Sequence, residues 1–541
     1  MSVGPKSWTE SAEVFTKPEV ARYMLAELKR AAGFRFWYQQ RVLEPSCGRG
    51  AFVFILVDML IEEHSRNNFR WDTKRIMDFL VAVDIDADSI EYLRGAVMRK
   101  LMAAHCPRSI AKKLVTKWFV CDDFLLYNFS GRFDVIVGNP PYIRFDDIPS
   151  EQQKAYQSRY KTFIDRCDIY VPFIERSLAL LSSRGAFSFI CANRYTKNKY
   201  GRELRKLITN EFHTRLYLNV EHADAFHQKV SAYPAIIVID RKRGWDTFAG
   251  ELSDIKDLPK CKTPSGKMLS RFSEWYSGDE PWVTTSNNAL EVWREVAERF
   301  PKIEDSAPGT KIGIGVATGA DKVFLLPGNG SIVEDECKLP LVKAEDIRPG
   351  AVVWEDSYML NPYDSVDSHK MRDFSNHPKA KAYVKRFEDI LKKRHCAKAH
   401  PKEWLRTIDR INYKVLRSPK VLMPDIQLGG VAALDANGQY YPHHNVYYIV
   451  SEGWNMSALC TVMRSSFVAD QIKKVSVSLR GGSVRYQSQN LRGIYIPSFS
   501  DLTVAEVRSL VMLAGSTSQM NIDEAVWRVV NRILASKKKA A

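Results

Sequence analysis

The chain has 541 residues, 45% of them hydrophobic and 26% charged, and a formal net charge of +16. This composition excludes wholesale disorder, the length is too great for a single core, and the positive excess favours a polyanionic partner. Nine scattered cysteines with no C-x-x-C pair exclude a disulfide framework or a zinc ribbon and point to a reducing, cytoplasmic compartment. No signal peptide opens the chain, and its longest apolar run, Phe52–Ile61, is broken by Asp58 and too short to span a bilayer, so no membrane partner is expected.

In chain order, Thr16-Lys17-Pro18-Glu19 reads as a helix start, with Thr16 as N-cap, Pro18 in the first turn and Glu19 at the capping-box position. A short strand, Arg41-Val42-Leu43, then meets Glu44-Pro45-Ser46-Cys47-Gly48-Arg49-Gly50, which runs into a helix. The glycines allow close backbone approach by a ligand. The G-x-x-x-x-G-K-[ST] pattern of a phosphate loop is absent, and Glu44 would repel a phosphate but attract an ammonium group. A second strand, Phe79–Val83, ends in Asp84-Ile85-Asp86, an acid placed to bind ribose hydroxyls. The spacing Asp84-x-Asp86-x-Asp88 resembles a calcium loop, but Ser89 and Gly95 stand where that loop needs Gly and Glu. A third strand, Trp118–Val120, leads to Asp122-Asp123-Phe124, and a fourth, Phe133–Gly138, leads to Asn139-Pro140-Pro141-Tyr142. Four strands ending in Gly-rich, acidic, acidic and amide-Pro segments describe one crevice at the carboxyl edge of a parallel sheet.

The tetrapeptide 139–142 is the most specific of these. Two prolines stop a strand and stiffen the turn that follows. The turn presents an amide side chain, the Pro140 carbonyl and an aromatic face together, a set suited to a flat group bearing an NH2 such as a nucleobase. The polar stretch from Ile143 to Cys167 is expected to be a flexible flap beside it, or a solvated helix and loop.

Taken together, these motifs resemble the gamma-group DNA adenine-N6 methyltransferases of restriction–modification systems. The resemblance covers residues 15–240 and continues through Asp168–Glu175, Gly185–Ile190, Asn193-Arg194-Tyr195, Tyr200–Arg205 and Phe226–Ile239. It implies a class I, Rossmann-like doubly wound α/β sheet and S-adenosylmethionine as cofactor. Thr16, Glu44, Pro45, Ser46, Gly48, Gly50, Asp84, Ile85, Asp123, Phe124 and Pro141 would line the cofactor site. Glu44 would face the ammonium group, Asp84 the ribose, Ile85 the adenine ring and Asp123 its exocyclic amine. Asn139 and Pro140 would hold the N6 hydrogens of a flipped-out adenine, with Tyr142 stacked on the base. Phe226 or Tyr233 would supply the second stacking ring, Phe226 being preferred. The resemblance also implies double-stranded DNA as partner and a nucleoid-associated cytoplasmic protein of a prokaryote. No chemical role is expected for Cys47.

The composition changes after Asp240. Residues 241–282 are rich in Pro, Gly and basic residues, so the expected organisation is a catalytic domain at 1–245, a linker at 246–282 and an α+β target-recognition domain at 283–541. A helix is expected near Asn287–Phe300. The glycine run Ile312–Gly319 fails as a dinucleotide motif but looks like the start of that recognition domain, and Val421–Asp425 and Gly493–Pro497 look like its strands. Lys473, Lys474, Arg480, Arg485 and Arg492, interleaved with Gln and Asn, form a candidate DNA-binding set; a solvated basic face is the alternative. His443-His444 and His395-Cys396 lack metal-ligand spacing along the chain, and no metal is expected. Pro424-Asp425 is not followed by the rest of a nuclease motif, so any restriction endonuclease would be encoded separately. Two other readings share some of these features: a glutamine-N5 or ribosomal RNA methyltransferase using the same tetrapeptide, and a non-catalytic DNA specificity subunit. The large C-terminal half argues against the first, and the intact Asn139 motif with both cofactor acids argues against the second.

Overall fold

Short apolar runs bounded by Gly, Pro and acids build one sheet in the N-terminal half of the computed structural model. Its strands are β1 (Val42–Glu44), β2 (Leu80–Asp84), β3 (Phe119–Cys121), β4 (Phe133–Gly138), β5 (Leu181–Ala192), β6 (His213–Asn219), β7 (Pro234–Asp240), β8 (Thr247–Glu251) and β9 (Ser270–Phe272). They pair in the order β3-β2-β1-β4-β5-β7-β6-β8-β9. β1 to β5 run parallel, and β7 lies antiparallel between β5 and β6. β8 runs parallel to β6, and β9 closes the sheet antiparallel to β8, so β7 and β9 are the two reversed strands of an otherwise parallel sheet, in keeping with the expected class I methyltransferase architecture. The structure describes residues 14–228, 233–241, 246–273, 275–276, 278–282, 287–328, 331–364, 369–476 and 482–538. The chain divides into two units, Met1–Ala289 and Leu290–Ala541.

The helices of the first unit are α1 (Pro18–Ala32), α2 (Val53–Asn67), α3 (Lys74–Met77), α4 (Ala87–Ala103), α5 (Arg108–Trp118), α6 (Ser150–Arg159), α7 (Tyr170–Leu180) and α8 (Arg202–Glu211). Alternate sheet residues, among them Val42, Leu80, Ala82, Val135, Val137 and Ile190, form one core with Leu28 of α1, Leu56 of α2, Val97 of α4 and Leu114 of α5. The intervening residues Leu43, Ile136, Phe187, Phe189 and Ile237 are buried too. Burial on both faces explains why β4 and β7 read as near-continuous apolar runs rather than alternating ones.

Three expectations are corrected. Residues 246–282 are not a linker. β8 and β9 extend the main sheet, Tyr23 donates its hydroxyl hydrogen to the Cys261 carbonyl at 2.6 Å, and Thr263 Oγ1 donates to buried Glu27 at 2.6 Å. The prolines and glycines there shape turns between elements that are packed. Thr16 does not cap α1. Pro18 occupies the first helical position, so Lys17 is the N-cap and takes the extended conformation expected before proline. Gly493–Pro497 forms no strand beyond a single bridge between Tyr495 and Lys302, although Ile494 and Ile496 are buried.

The second unit is α+β. Lys311–Ile314, Val446–Val450, Lys420–Pro424 and Ala433–Asp435 make a four-stranded antiparallel sheet. A second sheet joins Leu325–Leu326, Tyr358–Leu360, Lys338–Val342 and Tyr441–Pro442. Helices Met456–Arg464, Ser466–Val475 and Gln519–Lys538 contribute to a core around Leu459, Phe467, Ile472 and Val530. Inside the first sheet Lys420 and Asp435 form a fully buried ion pair at 2.7 Å. Lys420 Nζ also donates to the Leu416 and Ser418 carbonyls, and Asp435 accepts from the Gln439 and Tyr440 amides. A buried pair with satisfied hydrogen bonds is costly to break from one side. Asp435→Ala is therefore expected to destabilise the second unit by about 3–5 kcal/mol, read as a lowered midpoint in urea unfolding.

Candidate active site

The carboxyl ends of β1, β2, β3 and β4 open into one cavity of about 600 Å³. β1 contributes Glu44 and the loop Pro45–Arg49, β2 contributes Asp84–Asp88, β3 leads to Asp122–Phe124, and β4 leads to Asn139 and Pro141. The segment Val14–Thr16 forms a further wall. It is pinned on one side by a hydrogen bond from Asn139 Nδ2 to the Val14 carbonyl at 2.8 Å. On the other side it pairs with residues 225–227 through Lys17 N to Ala225 O at 3.1 Å and His227 N to Phe15 O at 3.0 Å.

The loops are tied to one another by the acids themselves. Asp84 accepts from the Gly48 amide at 2.7 Å and the Asp86 amide at 2.9 Å. Asp86 in turn caps α4 through the Asp88 and Ser89 amides. Ser46 Oγ donates to the Asn139 carbonyl at 3.0 Å, joining the loop after β1 to the loop after β4. Gly48 has a φ of +45°, which favours glycine. Gly50 differs from expectation: it does not line the cavity, and a Cβ there would lie 2.5 Å from the Leu93 side chain. Its role is the close packing of the loop on α4.

Among the described residues, three buried polar atoms beside this cavity have no hydrogen-bond partner: Thr16 Oγ1, Glu44 Oε2 and Asn139 Oδ1. Leaving such groups unpaired costs about 1–3 kcal/mol each, so their presence marks a place where a ligand completes the bonding. Burial, followed by the nearby charge of Asp84, pushes Glu44 well above the usual carboxylate range. Burial also raises Asp84 and Asp123. Burial and the charge of Glu44 push the Cys47 thiol up, which keeps it protonated and unreactive. Two adjacent acids in a desolvated site repel each other, and a cationic group among them relieves both penalties. S-adenosylmethionine fits this donor and acceptor set: an ammonium for Glu44, ribose hydroxyls for the remaining lone pairs of Asp84, and an exocyclic amine for Asp123.

The flap expected after Tyr142 is anchored rather than loose. Glu175 on α7 accepts from the Lys161 and Thr162 amides and from Thr162 Oγ1. α6 turns one residue inward: Tyr156 is buried, lines the cavity, and donates its hydroxyl hydrogen to Asp123 Oδ2 at 2.8 Å. Sequence reasoning missed Tyr156. Its only signal was an aromatic in an otherwise polar helix.

The remaining expected residues are dispersed. Pro140 and Tyr142 are not among the residues lining the cavity. The Tyr142 ring meets Phe226 edge to face at 6.4 Å, and Phe226 is buried in the core. Tyr233 instead carries Arg194 over its ring at 5.5 Å. Of the candidate DNA-binding cations, Arg480 lies outside the described residues. Arg492 donates to the Ile312 carbonyl and pairs with Glu304, Lys474 sits over the Trp293 ring at 4.6 Å, Arg485 lies 3.8 Å from Asp425, and Lys473 lies 3.9 Å from Asp470. Among the described residues, no helix is long and apolar enough to cross a membrane.

Residues 80–226 match the Eco57I restriction-modification methylase family. The chain is 36% identical over 533 residues to the type II methyltransferase M.PaeR7I of Pseudomonas aeruginosa, covering 95% of this chain and 91% of that protein. It is 34% identical over 546 residues to M.BstVI of Geobacillus stearothermophilus, covering 97% and 96%. Among solved structures, the type IIL restriction-modification enzyme MmeI in complex with DNA shares the fold at a TM-score of 0.58 and 12% identity, over 95% of this chain and 72% of that one. Within the cavity, Tyr156→Phe removes the donor to Asp123 Oδ2 and is expected to cost about 1–3 kcal/mol, measured as a lower midpoint in urea unfolding.

Proposed function

Because the chain belongs to the type II methyltransferases of restriction–modification systems, we propose that it methylates N6 of an adenine rotated out of double-stranded DNA. The observation that carries this reading is Asn139 Oδ1, an acceptor that is buried, unpartnered and placed at the edge of the cofactor cavity.

S-adenosylmethionine, the cofactor, supplies an electrophilic methyl group. The rest is positioning and polar stabilisation by the chain. Glu44 holds the ammonium end, with Thr16 beside it. Asp84 and Asp123 fix the nucleoside end, and Ile85, Phe124, Pro45 and Pro141 pack around it. A base within a duplex cannot bring N6 to a methyl donor, so the target is extruded. Asn139 Oδ1 and the Pro140 carbonyl then accept the two N6 hydrogens. These bonds draw the nitrogen away from planarity, turn its lone pair toward the methyl carbon and stabilise the positive charge that develops on N6. Tyr142 stacks on the base, and Phe226, in contact with Tyr142, backs it. The second unit reads the target sequence, and any cognate endonuclease is a separate protein.

Purified protein, duplex DNA and labelled cofactor test this directly. Marks detected at N6 of adenine support it, and marks confined to cytosine, RNA or protein overturn it. Asn139→Ala is expected to slow transfer by about 10²–10³-fold or more while cofactor binding is largely retained. A second expectation follows from Glu44. Burial and the charge of Asp84 raise its pKa, and pairing with an ammonium lowers it, so binding releases a proton. Affinity should therefore rise as pH climbs through the raised pKa of Glu44 and fall below it. Glu44→Gln should flatten that dependence, measured by calorimetry in buffers of different ionisation enthalpy.

A further inference from the structure

The glycine run that fails as a dinucleotide motif has a geometric purpose. A Cβ on Gly315 would lie 2.2 Å from the carbonyl oxygens of Pro442 and His443. Only glycine lets this segment run against the chain there, with Gly315 N donating to Val446 O and Val316 N to Pro442 O, both at 2.9 Å. That close approach brings Asp321, at the start of a single helical turn, to His443 and His444, in the connection between Tyr441–Pro442 and Val446–Val450. All three residues belong to the second unit.

Three donor atoms converge. Asp321 Oδ2 lies 3.2 Å from His443 Nε2 and 3.9 Å from His444 Nδ1, and the two ring nitrogens are 2.9 Å apart. A tetrahedral zinc ion about 2.0–2.1 Å from its ligands would separate them by about 3.4 Å, which lies within the spread of these three distances. The flanking contacts set the donors. His443 Nδ1 meets Asn445 Oδ1 at 2.9 Å, and an N–H there leaves Nε2 with its lone pair free, as in a metal-bound histidine oriented by an outer acceptor. Thr318 Oγ1 donates to Asp321 Oδ1, leaving Oδ2 for the cluster. With Nδ1 of His443 carrying the proton, its Nε2 lone pair faces a carboxylate oxygen. A divalent cation satisfies all three atoms at once. His443 is buried, whereas His444 and Asp321 are partly open to solvent, which leaves room for water as a fourth ligand.

We propose that Asp321, His443 and His444 bind one divalent transition-metal ion of the zinc class, which ties the Gly315–Phe324 segment to the connection before Val446. Imidazole and carboxylate together suit zinc, and cobalt(II) replaces it as a visible reporter.

The test uses the full chain, stripped with chelator and titrated with Zn²⁺ and with Co²⁺. The expected result is one ion per chain, a tetrahedral cobalt spectrum and a melting temperature that rises with zinc. His444→Ala and Asp321→Ala, both at partly exposed positions, should keep the circular dichroism of the parent and bind at least about tenfold more weakly, and Asn445→Ala should weaken binding within about 10–100-fold. Absence of stoichiometric uptake by the parent chain, or uptake unchanged in His444→Ala and Asp321→Ala, overturns the proposal and leaves a metal-free hydrogen-bonded histidine pair.

Discussion

The carboxylate of Asp84 holds the first unit's site together. It joins the amide of Gly48, in the loop after β1, to the amide of Asp86, at the start of α4. Cys47 N reinforces the same junction through Val83 O, and Asp122 N extends it to the loop after β3 through Asp84 O. The Asp84 carboxylate and the backbone carbonyls at the end of β2 thus join the loops after β1 and β3 to the start of α4. The cost is electrostatic, because Glu44 is buried beside it with an unpartnered oxygen. A cationic group among these acids would relieve that cost, so the residues that shape the loops also favour a positively charged ligand.

The strands ending at that edge were legible because each is a short apolar run that ends at an acid or a proline: Glu44-Pro45, Asp84, Asp122, and the pair Pro140-Pro141. The acids were legible for the same reason, since position at a strand end fixes where a side chain sits. What escaped depended on contacts far apart in sequence. Residues 246–282 carry the Pro and Gly content of a linker, yet β8 pairs with β6 and β9 with β8, and long-range sheet pairing overrides local composition. Tyr156 sits in a polar helix, and only its 2.8 Å bond to Asp123, 33 residues away, reveals its place. Gly50 was read as a ligand-facing glycine, but the side chain it makes room for is Leu93.

The histidine pair shows the same limit from the other side. Metal motifs are recognised by spacing along the chain, and Asp321 stands 122 residues from His443. The link between them is Gly315, whose missing side chain lets two segments touch. A glycine whose purpose is close approach of one backbone to another leaves a pattern that looks like a failed ligand loop, and its meaning lies in what the approach delivers.

The candidate DNA-binding cations of the second unit have local partners too. A net charge of +16 draws the whole chain toward a polyanion, and that attraction depends on the summed field rather than on particular side chains. Two of the candidate cations have such partners: Arg492 bridges Glu304 and the Ile312 carbonyl, and Lys474 covers Trp293. A cation already paired with a carboxylate gains less from a phosphate, because it must first give up the partner it has. Replacing Arg492 would disturb the packing of Ile312 and Glu304 before it altered any contact with DNA.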